Sequence, residues 1–189
     1  MCGIVGYNGA RPVTDFLLDA LELLEYRGCD SAGLATINAE TGRTKLRKCA
    51  GRVADLRKVC ENDKKQATCG IGHTRWATHG GVSDENAHPH RQGNVLLVHN
   101  GIVENYEELR DHFMLSKDLK SETDTEVVAG VLNRYYDGDP HKAIAQTVKH
   151  LKGTFALVII FDDIPDVIYA IRNVSPIVAA RTEDGTMLA

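Results

Sequence analysis

The sequence predicts an α+β protein in which antiparallel sheets are covered by helices. Three observations point there. Strand-like segments arrive in groups joined by short turns, helical segments arrive in groups between them, and the strict strand–helix alternation that builds parallel sheets is missing. The 189 residues suit one domain or a tight pair of subdomains. Hydrophobic residues make up 43% and charged residues 25%, which supplies a core and carries no signature of disorder.

Taken in order, Gly3 to Tyr7 reads as a short buried strand. Pro12 opens a helix with Val13, Phe16, Leu17, Leu21 and Leu24 on one face, closing at Arg27-Gly28. Ser31 to Ile37 and Thr44 to Lys48 form a hairpin around Asn38-Ala39-Glu40-Thr41-Gly42. Val53 to Glu61 is a short helix whose apolar stripe is Val53, Leu56, Val59 and Cys60. Strands at Gly70 to Trp76 and Val95 to Val98 precede helices at about Tyr106 to Phe113, Thr125 to Tyr136 and Pro140 to Leu151. The remainder is strand: Thr154 to Phe161, Val167 to Arg172, Ile177 to Ala180 and Thr186 to Leu188.

Composition excludes several function classes. Lys+Arg is 22 against Asp+Glu 26, a net charge of −4, so there is no basic field for nucleic acid or an anionic membrane. The longest apolar runs, such as Phe155 to Phe161, fall far short of the ~20 residues that cross a bilayer. No basic segment followed by an apolar one opens the chain, so no secretory signal is expected. Five cysteines without a C-x-x-C pair argue for reduced thiols and a cytoplasmic location. Glycine-rich phosphate loops are absent from the sequence.

Chemistry-bearing residues gather in three places. The first is Cys2. A thiol is only a few per cent thiolate at neutral pH and needs a base. With Met1 removed, as is usual ahead of small residues, the α-amine of Cys2 supplies one, with an ordinary pKa of about 7.7–8.0. The plainer reading is a small buried hydrophobe beside the initiator. The second place is His73-Thr74-Arg75-Trp76-Ala77-Thr78-His79-Gly80 with Asn86-Ala87-His88-Pro89-His90. Arg75 is suited to hold a carboxylate bidentately, with Thr78 and His79 adding hydrogen bonds. A metal site on His73, His88 and His90, or a strand edge with satisfied histidines, are the alternatives. Pro89 disfavours regular strand geometry between the last two, and no further ligand stands at a recognised spacing. The third place is His99-Asn100-Gly101 after Val95-Leu96-Leu97-Val98. Asn-Gly after a strand is by default a tight turn. A side-chain amide beside a glycine N–H also brings two donors onto one developing oxyanion. Downstream, Thr123 or Asp124 is the N-cap of the next helix, or Asp124 meets a substrate ammonium.

Together and in this order, these stretches, with Cys2-Gly3-Ile4-Val5-Gly6, Tyr26-Arg27-Gly28, Asp30-Ser31-Ala32-Gly33 and Ser121-Glu122-Thr123-Asp124-Thr125-Glu126, resemble one family. It is the glutaminase domain of the class II glutamine amidotransferases, in the branch of the isomerizing glutamine–fructose-6-phosphate aminotransferases. The resemblance covers Cys2 to about Ala180. It implies a four-layer αββα sandwich of antiparallel sheets of the N-terminal-nucleophile (Ntn) hydrolase type. It also implies an enzyme that hydrolyses the glutamine side-chain amide to glutamate and ammonia through a Cys2 thioester, with no cofactor and no metal. In that pattern Cys2 is the nucleophile and its α-amine the proton shuttle. Asn100 and Gly101 form the oxyanion hole, and Arg27 stands near the nucleophile. Arg75 takes the glutamine carboxylate and Asp124 the ammonium. Thr78, His79 and His88 line the pocket, and Trp76 gates it.

The resemblance further implies that residues 1–189 are a single glutaminase domain short of its last elements and of the sugar-isomerase portion. Fructose 6-phosphate would be met only through that portion, so no amino sugar is expected from this chain alone. No nucleic-acid or membrane partner is implied. A homodimer is allowed through an uncovered edge after Ile177 to Ala180. A glutamine-binding module without turnover is the alternative, favoured if Met1 is retained. Two positions depart from the family pattern: Cys29 stands for a tyrosine, and Val174 for a glycine before Ser175-Pro176. The second predicts a changed backbone if that glycine has a positive φ.

Overall fold

Alternation along each strand decides which layer its side chains enter. In the computed structural model, which describes residues 2–38, 40–63, 67–77 and 80–189, β1 (Gly3–Gly9) sends Ile4 to one side and Val5 and Tyr7 to the other. Cys69 and Ile71 of β4 (Cys69–Arg75) join Ile4. On the opposite face β4 carries Gly70 and Gly72, where a Cβ would come within 3.0 Å of Leu17 and 2.9 Å of Leu21. Those two leucines belong to α1 (Val13–Leu24), so the glycines let the helix lie close on the sheet.

The first sheet has the order β3-β2-β4-β1-β10-β9, with β2 (Ser31–Ile37), β3 (Thr44–Ala50), β9 (Ala179–Thr182) and β10 (Gly185–Leu188). The second has the order β5-β6-β7-β8, with β5 (His90–Gln92), β6 (Val95–Val103), β7 (Gly153–Phe161) and β8 (Ile164–Asn173). All the pairings are antiparallel. α1 and α2 (Val53–Val59) cover the first sheet through Leu17, Leu21, Val53 and Leu56. α3 (Tyr106–His112), α4 (Asp124–Tyr135) and α5 (Pro140–Val148) cover the second through Leu109, Val127, Val131 and Ala143. Between the sheets Ile4, Ile71, Leu96, Val98, Val158 and Ile160 form the middle core. This is the four-layer αββα arrangement that the resemblance implies.

Several local expectations change. Val59 is 46% exposed: α2 seats through Val53, Leu56 and Cys60, and Val59 falls beside that line. The strand β5 was not expected, and β6 does not turn at Asn100-Gly101. It runs on to Val103, with Gly101 opposite Phe155 of β7. Gly101 has φ +132° and a Cβ there would lie 2.0 Å from Thr154 O, so only glycine lets the strand continue. Ala39, inside the expected hairpin turn, lies outside the described residues; Gly42 at φ +62° donates to Asn38 O at 2.8 Å to close that turn. Among the described residues, no helix is long and apolar enough to cross a membrane.

Val174 itself stands in the left-handed region. Its φ is +70° and its side chain is 73% exposed, so a β-branched residue holds a conformation that suits glycine, with no buried contact to compensate. Left-handed strain costs roughly 1–2 kcal/mol, against ~0.5–1 for the freedom that glycine adds to the unfolded chain. Val174→Gly is therefore expected to raise stability by up to about 1 kcal/mol and the thermal midpoint by about 2–4 °C, which a calorimetric scan checks.

Candidate active site

β1 and β6 come from different sheets and meet across the middle core, and the pleat turns Cys2 and Asn100 inward, in step with Ile4 and Val98. Asn100 Nδ2 donates to Cys2 O at 3.3 Å. The Cys2 thiol is held by the exit of β4. Trp76 N–H donates to Cys2 Sγ at 3.2 Å, and Sγ lies 3.6 Å from Trp76 O. One residue on, Gly3 N–H donates to Thr74 Oγ1 at 3.0 Å.

Around these atoms lies a cavity of about 480 Å³, within the range of small-metabolite sites. Its wall includes Cys2, Arg27, Arg75, Trp76, His88, Asn100, Gly101 and Asp124, which are eight of the ten residues expected from sequence. The other two, Thr78 and His79, lie outside the described residues. Sequence reasoning missed His99, Thr125, Ser175 and Pro176, which also line it. The last two follow Val174, so the left-handed turn there shapes the cavity wall.

Opposite charges face this space. Arg75 is 4% exposed and donates to Gly81 O at 3.0 Å and Gly80 O at 3.2 Å, so one side chain braces the loop and reaches the cavity. Asp124 is 6% exposed; its Oδ2 accepts Val103 N–H at 2.9 Å and its Oδ1 accepts Thr125 Oγ1–H at 3.3 Å. Thr123 is the cap of α4, its Oγ1 accepting Glu126 N–H, which leaves Asp124 to line the cavity as the first helical residue. Arg27 is exposed, on the single 3-10 turn Glu25–Arg27 that follows α1. Half of Trp76 is exposed, and its ring packs on Gly28, where a Cβ would come 2.4 Å from Cε3.

His88 of the wall stands in a row of three imidazoles with His73 and His90. His73 and His88 have ring centroids 4.2 Å apart, and His88 and His90 4.8 Å. Burial pushes His73 down to about 3 and drives His88 and His90 well below the usual histidine range, so these three rings are uncharged at neutral pH. His99 is lowered too, by burial working against the pull of Asp124 3.7 Å away. Among the described residues, no group of three His, Cys, Asp or Glu side chains is gathered to hold a metal ion.

The other thiols sit apart from this chemistry. Cys29 is turned toward Ser31 O and Gly51 O, at 3.4 and 3.6 Å, and burial pushes it up to about 12. Burial likewise raises Cys69 to about 12 and Cys60 to about 11, and pushes Cys49 up. The Cys29 departure therefore fills a half-buried niche beside Gly51 and adds nothing to the cavity wall. Next to it, Asp30 Oδ2 accepts Ala77 N–H at 2.5 Å and Asp30 N–H donates to Arg75 O at 2.8 Å. Those bonds fix the chain where it leaves β4 and presents Trp76 to the thiol.

Known proteins place this geometry in a family. A family model described as a glutamine amidotransferase domain matches residues 73–189, more than half of the chain. The chain belongs to the glutamine amidotransferases. Among curated relatives in this family, the isomerizing glutamine–fructose-6-phosphate aminotransferase of Clostridium acetobutylicum is 43% identical over 193 residues, covering 100% of this chain and 31% of that protein. The enzyme of the same name from Symbiobacterium thermophilum is 46% identical over 192 residues, with the same coverage. The chain thus spans about a third of the length of these relatives. A solved glutamine phosphoribosylpyrophosphate amidotransferase from B. subtilis covers 100% of this chain and 41% of that one with a TM-score of 0.78 at 22% identity. The allosteric regulatory enzyme of purine biosynthesis gives 0.83 at 23%. These two likenesses fix the fold as that of the Ntn amidotransferases.

Proposed function

We propose that this chain hydrolyses the side-chain amide of glutamine to glutamate and ammonia. The observation that carries the reading is a single cavity whose wall brings together the Cys2 thiol, the Asn100 amide, the Arg75 guanidinium and the Asp124 carboxylate. With Met1 removed, the α-amine of Cys2 takes the thiol proton and Sγ attacks the amide carbon. The oxygen of the tetrahedral adduct gains negative charge, which Asn100 Nδ2 and Gly101 N–H receive. The amine returns its proton to the departing nitrogen, ammonia leaves, and water hydrolyses the thioester. Arg75 holds the glutamine carboxylate, Asp124 its ammonium, and His88, Thr78 and His79 complete the pocket. Trp76 covers it, and Arg27 adds positive charge at the mouth.

The charged residues and the amide then have separable kinetic effects. Losing one partner of a buried charge pair costs on the order of 2–5 kcal/mol, so Arg75→Ala or Asp124→Asn is expected to raise KM for glutamine at least about tenfold. Asn100→Ala is expected to lower kcat by ~10²–10³ with KM nearly unchanged, because the amide acts when charge develops on oxygen. Steady-state ammonia release by the three variants tests this division. One shared signature for all three would break it.

We read residues 1–189 as a single glutaminase domain whose ammonia, in a protein of its relatives' full length, goes to fructose 6-phosphate. The relatives' names and the one-third coverage support that extension. The free thiols of all five cysteines favour a cytoplasmic setting, and the net charge of −4 disfavours nucleic acid. For a homodimer, the outer edge of β9, all four of whose residues are exposed, is the ladder available to a second copy.

A further inference from the structure

His73 stands behind Asn100, fully buried and outside the cavity wall. It projects from the inward face of β4, in step with Ile71, into the layer between the sheets. Its Nε2 lies 3.0 Å from Asn100 Oδ1 and 3.1 Å from His99 O. The backbone oxygen of His99 only accepts, so Nε2 carries the proton and donates, and the Asn100 atom facing it must be its oxygen. The other end of the amide gives the same answer independently: it faces Cys2 O, again only an acceptor, so that end must be the NH2.

We infer that His73 is the positioning residue that fixes the direction of the Asn100 amide, keeping its NH2 turned toward Cys2 and the reacting carbonyl. Turned by half a rotation, the same side chain would aim an oxygen at the developing oxyanion and repel it. Burial keeps the imidazole neutral, so one tautomer serves throughout the working range. The His88 ring, tilted by 35° with its centroid 4.2 Å away, packs against the imidazole. The inference deepens the glutaminase reading and rests on it.

His73→Phe keeps a ring against His88 and loses the donor; His73→Gln returns an N–H near the Nε2 position. The phenylalanine variant is expected to lower kcat about 10- to 100-fold, less than deletion of the Asn100 amide, with KM within about twofold. The glutamine variant is expected to recover most of that loss. In an Asn100→Ala background, His73→Phe should change kcat by less than about twofold, because the group that it orients is gone. Should the phenylalanine variant fail to fold, His73→Asn, whose amide sits near Nδ1, takes its place against His73→Gln. Unchanged kcat, a parallel rise in KM, or full additivity with Asn100→Ala would each overturn the inference. Nitrogen-15 spectra of the native chain decide the geometry without turnover: an Nε2–H tautomer is expected, and an Nδ1–H tautomer overturns it. A native chain that shows that tautomer yet releases no ammonia would sink the glutaminase reading instead.

Discussion

Replacing Cys2 with alanine is expected to abolish ammonia release from glutamine, by a factor on the order of 10⁴ or more, while glutamine still binds. Removing Sγ takes away the atom that forms the thioester, but Arg75 and Asp124 remain on the cavity wall. A glutamine-like diazoketone should label Cys2 and none of the other cysteines. Selectivity has two physical sources. Only Cys2 of the five lines the cavity, and burial pushes Cys29, Cys60 and Cys69 to about 11–12, where almost no thiolate exists at neutral pH. Chain retaining Met1 should be inactive, since its peptide bond turns the basic amine of Cys2 into an amide. Intact mass, peptide mapping of the labelled chain and an ammonia assay check all three outcomes. Label on Cys29 or Cys69 would displace Cys2 from the role.

Much of the fold could be read from local pattern because the pattern and the tertiary layers agree. Pro12 and the spacing of Val13, Leu17 and Leu21 specify α1, and β4 and β10, the partners of β1 in its six-stranded sheet, share its alternation. The misreadings fall where a distant partner overrides a local rule. Asn100-Gly101 is strong turn chemistry, yet pairing with Ala156 and Phe155 of β7 draws it into a nine-residue strand. β5 is three residues long and exists only because β6 lies beside it. The site follows the same logic. Cys2, Arg75, Asn100 and Asp124 were recognisable as residue types, and their order along the chain carried the family resemblance. Which neighbours aim each of them was not recognisable. Trp76 holds the thiol through its backbone N–H, and His73 meets Asn100 from another sheet. Those relations depend on which face of a strand looks inward, which exists only once both sheets are in place.

Gly101 gives the second large effect, on the fold and on the chemistry together. Gly101→Ala is expected to destabilise the chain by more than about 3 kcal/mol, because two penalties add at one atom. Its φ of +132° is closed to an alanine, and the new Cβ would stand 2.0 Å from Thr154 O and 2.9 Å from Phe155 Cα, which are backbone atoms near the start of β7, held in its ladder and unable to swing away. Gly42 is the control. Its φ of +62° is also left-handed, but nothing lies within 4 Å of its Cβ position, so Gly42→Ala should cost only about 1–2 kcal/mol and leave turnover alone. Relief of the clash at 101 requires β6 to part from β7 or its peptide to rotate. Either movement takes the Gly101 N–H and the neighbouring Asn100 amide away from Cys2. Any folded fraction of Gly101→Ala is therefore expected to bind glutamine through Arg75 and Asp124 and to turn it over at least about 10²-fold more slowly. Denaturant titration of both variants, followed by ammonia release from the soluble fraction, checks the pair. Equal stability losses at 42 and 101 would show that the close approach of β7, and with it this account of the strand's path past the nucleophile, is wrong.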